Sequence, residues 1–499
     1  MNITSGRMAG SLEIVLLLCF VVAMYFQQNT GLADNGDYTR SMLWMTPGPT
    51  GMEANWPDPD SEDWSKRFFN YWIPYWDLDM QLPKSRTSAA VLWLPGVLLS
   101  SVFFSGSVLY LPSVSLFPKL ILVTILLLLF TWGRQHERHR LLLLGGIAFP
   151  FILLTTSTDY VAYFNSFYQE ASSLIFLLLL LVSILILKQR PSFPTFLFSI
   201  VCVFLLATSK ASNVYWPALA VPIIVHLRYR DTLTNMRLAA LAVALLAMLT
   251  FASMHVTGAG ASKENPYHSL FYGALMFSEQ PGEHLRRLNM PDADTCIHAS
   301  AFTQEGMACI ARHENKLSYL TTLSVLYREP LVFPRMMTYV FDNMQDISLV
   351  YLGKYAIDDP RSKTTPRVGD GYEQRFWLAG DNALMLNLWS TLKYRVFPTG
   401  YALLLLLILF IAVFIHARRY ADVRKDLALV GLLCSVACVV DMSIAILGDG
   451  RYELMKHLFL ANVLFDIALI VFLVVVSVHV KERIGEKGWK TRKQLPSVP

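Results

Sequence analysis

The sequence predicts an all-α, polytopic membrane protein with about ten transmembrane helices, a long first outer loop carrying interfacial helices and a large distal outer loop. Composition is the first reason. Of 499 residues 54% are hydrophobic and 16% charged, and the mean hydropathy is +0.42, whereas soluble domains carry roughly 25% charged residues. The second is the recurrence of apolar runs of bilayer length. The third is the gathering of Lys and Arg into short clusters between those runs, the pattern of cytoplasmic loops. A formal net charge of +5 is too small to argue for nucleic acid, and the basic residues report topology.

In chain order the predicted spans are 12–26, 117–132, 141–156, 172–187, 193–208, 216–227, 238–254, 397–415, 427–447 and 458–480. Arg7 ahead of the first run gives it the outline of a signal peptide, but no small-residue cleavage site follows, and it reads as a retained span. An eleventh apolar stretch, 89–110, contains the break LPG and four serines, Ser100, Ser101, Ser105 and Ser107. Counting it would scatter the basic clusters GRQHERHR, KQR, RYRDTLTNMR, HARRYADVRK and KERIGEKGWKTRK over both sides of the membrane. It is therefore expected to lie in the outer interface, with both termini cytoplasmic.

This order divides the chain into a membrane module, 1–254, whose first outer loop (27–116) carries the candidate chemistry, an extracytoplasmic loop domain, 255–396, and C-terminal helices with a cytoplasmic tail, 397–499. Trp56, Trp64, Trp72, Trp76, Trp377 and Trp389 predict folded, partly interfacial loops. Cys19, Cys202, Cys434 and Cys438 fall inside apolar runs and read as small packed side chains. Cys296 and Cys309 share the long polar loop and are expected to form a disulfide there, in an oxidising compartment.

Ionisable residues collect at the outer boundaries. Asp37 and Arg40 follow the first span; Asp159, Asn165 and Glu170 follow the third; Lys210 follows the fifth; Asp449, Arg451, Glu453, Lys456 and His457 precede the tenth. Such groups are costly near lipid unless paired or wet, and one cavity at one depth can hold them all. An acid facing a basic cluster at a lipid–water boundary suits a lipid-linked phosphate. Lys and Arg hold the anion, and a carboxylate takes a proton from an attacking hydroxyl.

The acid after span one, the interfacial stretch before span two, the acidic turn between spans three and four and the large distal loop resemble the GT-C superfamily of integral-membrane glycosyltransferases. The motifs NGDYTR, YFNSFYQEAS and GDGRYELMKHLFLANVLFD are similar to those of bacterial envelope-glycan hexose transferases within it. The resemblance implies an inverting transferase of the bacterial inner membrane. It would move a hexose from a polyprenyl-phosphate carrier to a glycan, lipid or protein acceptor on the extracytoplasmic face. It implies Asp37 as general base and Glu170 as a second acidic site residue, with Lys456, His457, Arg40, Arg451 and Lys210 as donor-binding residues. Direct displacement at the anomeric carbon needs no covalent intermediate. Members of the superfamily differ in needing a divalent metal; no ligand cluster here forces one, so that cofactor stays open.

Plainer readings stand beside these. ADNGD suits an Asx turn, and Asp34 is the alternative base. Glu170 suits a helix amino terminus, while Lys456 and His457 suit snorkelling anchors. Asp441 and Asp466, inside apolar runs, are expected to be satisfied within the bundle near its outer end. A transporter or flippase of lipid-linked glycans also fits, although the two matching, Gly/Pro-broken halves common in transporters are not found. So does an envelope polysaccharide polymerase or ligase, which arginine-rich outer loops would favour.

Overall fold

A computed structural model describes residues 3–26, 30–42, 45, 48, 67–68, 71–79, 87–103, 108–257, 263–344, 388–396 and 400–493. The expectations placed on Trp56, Trp64, Trp377, Ser105, Ser107 and the Asp159 side chain lie outside the described residues. The first half contributes α1 (Ile3–Phe26), α2 (Ala89–Phe103), α3 (Leu116–Arg134), α4 (Phe149–Thr155), α5 (Gln169–Gln189), α6 (Phe193–Ser209), α7 (Trp216–Tyr229) and α8 (Asn235–Thr257). The second contributes α9 (Leu388–Val396), α10 (Gly400–Ala417), α11 (Val423–Asp449), α12 (Leu454–His457) and α13 (Phe459–Lys493).

Each predicted span forms a helix, and among the described residues eight helices are long and apolar enough to cross a membrane. The two that fall short are α6, of 17 residues, and α7, of 14. At 1.5 Å per residue they reach about 26 and 21 Å, less than a hydrocarbon core of about 30 Å. They are consecutive, joined by the 3-10 turn Ala211–Tyr215. Counting both or neither therefore leaves the sidedness of every later loop unchanged.

The bundle is built around α5. In its apolar window 89% of residues are buried, against 11% for the peripheral α8. The third span begins at Arg140 and passes through a π-helical stretch, Leu144–Ala148, before α4. Gly146 in that stretch admits α13 closely, since a Cβ there would stand 2.5 Å from Val474 Cγ2.

The stretch 89–110 forms α2, only 15 residues long with Pro95 inside it. It then turns back through β2 (Val108–Tyr110), paired antiparallel with β1 (Tyr75–Asp77). Ser100 Oγ accepts from Tyr110 N at 3.0 Å, and Ser88 Oγ donates to Leu205 O at 2.6 Å. The loop start is thereby fastened to the end of α6.

The largest described part of the distal loop, 263–344, is helical and contains the Cys296–Cys309 disulfide. It seats on the end of α11, where Ser269 Oγ donates to Leu447 O at 2.5 Å. Gly450 there adopts φ +60° with its Cα face against Tyr272; a Cβ would stand 2.5 Å from Tyr272 C.

Charges inside the bundle are partnered. Asp466 meets Lys393 Nζ from α9 at 2.8 Å, and it accepts from Tyr160 Oη and Trp389 Nε1 at 2.8 Å each. Asp441 accepts from Tyr215 Oη at 3.2 Å. Both are therefore engaged within the bundle, as expected of acids in apolar surroundings.

Candidate functional site

The residues after α1 are laid along the turn that precedes α5. Asn165 Nδ2 donates to Thr30 O at 2.6 Å, Leu32 N to Ser166 Oγ at 2.7 Å, and Tyr168 Oη to Ala33 O at 2.7 Å. Tyr38 is buried between the rings of Trp76, Phe167 and Tyr168, and its hydroxyl donates to Leu32 O. Within this stitched segment ADNGD does form an Asx turn. Asp34 Oδ1 accepts from Gly36 N at 2.7 Å and Tyr38 N at 3.4 Å, with Gly36 at φ +96°. Burial pushes the Asp34 carboxyl up to about 7. Asp34 thus shapes the turn, and the turn delivers Asp37.

Asp37 Oδ2 accepts from Lys456 Nζ at 2.6 Å, a contact between residues 419 positions apart. Lys456 also pairs with Glu453, whose carboxylate accepts from Asn35 Nδ2 at 3.2 Å. Arg40 stands 3.3 Å from the other Asp37 oxygen. Glu170, at the start of α5, binds Lys210 Nζ at 2.8 Å. The two pairs feel each other: Lys456 acts on Glu170, and Lys210 acts on Asp37. Burial works to raise the pKa of Asp37, but Lys456 and then Arg40 outweigh it and hold the carboxyl well below the usual carboxylate range. Burial likewise works against the Lys456 charge, and Asp37 and Glu453 hold that ammonium well above the usual lysine range. Three carboxylates thus meet three cations in one cluster. Glu453 is held in the left-handed region at φ 42°, uncommon for a residue with a side chain and a mark of a site constrained from several directions.

Beside this cluster lies a second one. Asp449, at the end of α11, takes His457 Nε2 at 2.9 Å and His268 Nδ1 at 2.7 Å. His268 Nε2 accepts the N–H of Ala301 at 2.9 Å, so its proton sits on Nδ1 and faces the carboxylate. The His268 ring stacks on Tyr452, centroids 4.3 Å apart. His457 is thereby oriented from the distal loop through Asp449.

Of the seven site residues read from the sequence, Asp37, Arg40, Glu170, Lys210 and Lys456 come together, and His457 stands next to them, engaged with Asp449. Arg451 does not join them. Its guanidinium lies 4.4 Å above the Tyr339 ring and 3.5 Å from Met276 Sδ. The left-handed Gly450 turns the chain there and sends the side chain toward the distal loop. Missed were the tethers Asn35 and His268, which carry no signal in polar loops, and the roles of Glu453 and Asp449, whose turn alone was legible. Among the described residues no group of three or more His, Cys, Asp or Glu side chains is placed to hold a metal ion.

A family model, the YfdI N-terminal transmembrane domain, matches residues 5–494. The chain belongs to this family. It is similar to the uncharacterized protein YfdI of Escherichia coli (strain K12), 22% identical over 383 residues that cover 74% of this chain and 76% of that protein. No solved structure matches. Membership in the YfdI family, with the apolar helices of the bundle, makes this a polytopic membrane protein.

Proposed function

We propose that the chain is an inverting glycosyltransferase of the GT-C type. It would take a hexose from a polyprenyl-phosphate carrier at the outer face of a bacterial inner membrane and pass it to an envelope glycan, lipid or protein. The observation that carries this reading is the Asp37–Lys456 contact beside Glu170–Lys210. It joins an acid from the first outer loop to a cation from the last outer turn, where a lipid-anchored phosphate arrives.

In this reading the donor phosphate competes with Asp37 and Glu453 for Lys456, with Lys210 and Arg40 completing its cradle. While Lys456 holds Asp37, the carboxylate is a poor base, because its affinity for a proton is depressed. Drawing the ammonium to the phosphate restores that affinity when a donor is present. Asp37 then accepts the acceptor's hydroxyl proton. The acceptor oxygen bonds to the anomeric carbon from the opposite face, and the bond to the phosphate oxygen breaks, its electron pair leaving with polyprenyl phosphate. His457, oriented by Asp449, stands on the donor side. Both termini and the basic clusters face the cytoplasm in this account.

The test is Asp37→Asn, which keeps size and hydrogen bonding but removes proton acceptance. Sugar transfer from polyprenyl-phosphate hexoses in proteoliposomes is expected to fall about 100-fold or more, while Asp34→Asn retains most activity. Near-normal transfer by Asp37→Asn removes the base assignment.

A further inference from the structure

The opposite end of the bundle carries a cleft that the proposed reaction does not use. Between α7 and α11 it offers a volume of about 510 Å³, walled by Leu219, Leu429 and Val436 among other apolar side chains. Its mouth is cationic, with Lys188, Arg230, Arg418 and Lys425. Lys188 is answered by Asp426 at 2.5 Å, and the exposed Arg230 by the exposed Asp231 at 3.3 Å. Arg418 and Lys425 are exposed and, among the described residues, neither forms an ion pair. The mouth is thus left with a surplus of positive charge directly above an apolar slot.

The depth of the slot says what fits. From Lys425 at the rim to Val436 at the far wall, α11 rises about 16 Å, close to half of a hydrocarbon core of about 30 Å. That is the reach of an acyl chain in one leaflet. An isoprenoid carrier spanning further would leave most of its length outside. Basic pockets between helix ends, open to lipid, are where anionic head groups gain most from charge-assisted contacts. We propose that this cleft binds one anionic phospholipid, its phosphate at Arg418, Lys425 and Arg230 and an acyl chain against Leu219, Leu429 and Val436.

The proposal is tested on the full-length purified protein by native mass spectrometry during lipid titration. Phosphatidylglycerol is expected to bind at least tenfold more tightly than phosphatidylcholine with the same chains, and glycerol phosphate alone to bind weakly. Arg418→Ala with Lys425→Ala should abolish the preference, Arg418→Lys with Lys425→Arg should keep it, and Val436→Trp should weaken phosphatidylglycerol binding by filling the slot. Both cations are exposed, so the variants should unfold at the wild-type temperature. Equal binding of the two phospholipids by the wild-type protein overturns the proposal without reference to any variant. So does a preference that survives loss of both cations. Glycerol phosphate binding as tightly as the lipid would make this a phosphate site, and displacement of phosphatidylglycerol by equimolar polyprenyl phosphate would assign the cleft to the carrier.

Discussion

At one end of the bundle, Glu13 of α1 is almost wholly buried and takes Arg134 at 2.6 Å and Arg140 at 2.8 Å. At the other end, Asp37 is partly buried, its side chain 17% exposed, and takes Lys456 and Arg40. The chemistry of the pairs is alike, but their mounting differs. Glu13 and its arginines sit on or next to helices that pack along their length, so the pair fastens neighbours that already touch. Asp37 and Lys456 come from an Asx turn and a four-residue helix, brought together by tethers from the 165–168 turn, Asn35 and the distal loop. Geometry held from so many sides at a boundary is what a reacting group requires. Helix-borne pairs of the Glu13 kind contribute to stability; in the proposed reading, loop-borne pairs of the Asp37 kind exchange their cations for a ligand's anion.

Three substitutions sharpen that contrast. The largest effect is expected at Lys456→Ala, which should weaken binding of a polyprenyl-phosphate sugar about tenfold or more, since charge-assisted contacts contribute about 1.5–3 kcal/mol. Lys481→Ala is the control, because that exposed ammonium only donates to Arg138 O at 2.9 Å. Direct lipid-binding measurements giving equal losses at both positions would reduce Lys456 to an anchor.

A smaller effect, on stability rather than binding, is expected from Glu13→Gln. It should lower unfolding free energy by about 1 kcal/mol, the partly exposed Arg134 limiting the loss, and leave donor affinity unchanged. A donor-affinity loss comparable with that of Lys456→Ala would erase the distinction between the two ends.

The smallest concerns Asp34. Burial raises its pKa from 3.8 to about 7, so between those values the folded chain holds a proton that the unfolded chain has released. The stability this group contributes is complete below about pH 4, declines as pH rises, and is lost above about pH 7. Asp34→Asn keeps the acceptor for Gly36 and Tyr38 and should flatten that dependence. Thermal unfolding across pH 4–8 that stays as steep in the variant would place the titrating group elsewhere.

The spans were legible because lipid demands uninterrupted apolar runs, and every one of them is helical. Less legible was their packing. The helices α6 and α7 run one and two residues past their predicted ends, at Ser209 and Tyr229, but a hydropathy run does not show how the two pack. At the site, residues next to a boundary were readable as candidates, yet partners were not. Nothing local links Asp37 to Lys456 or His268 to Asp449. Arg451 was grouped with Lys456 because they are close in sequence, whereas in space its guanidinium goes to Tyr339 and Met276.

In the proposed reaction the Asp37 end breaks the bond between sugar and polyprenyl phosphate. The most direct measurement follows a labelled polyprenyl-phosphate hexose of known anomeric configuration in proteoliposomes holding the wild-type protein and an acceptor glycan. It reads both free carrier and the configuration of the new linkage. One polyprenyl phosphate is expected to be released for each sugar transferred, with the anomeric configuration inverted. Retention of configuration, or intact donor appearing in the opposite leaflet with no carrier released, would contradict it.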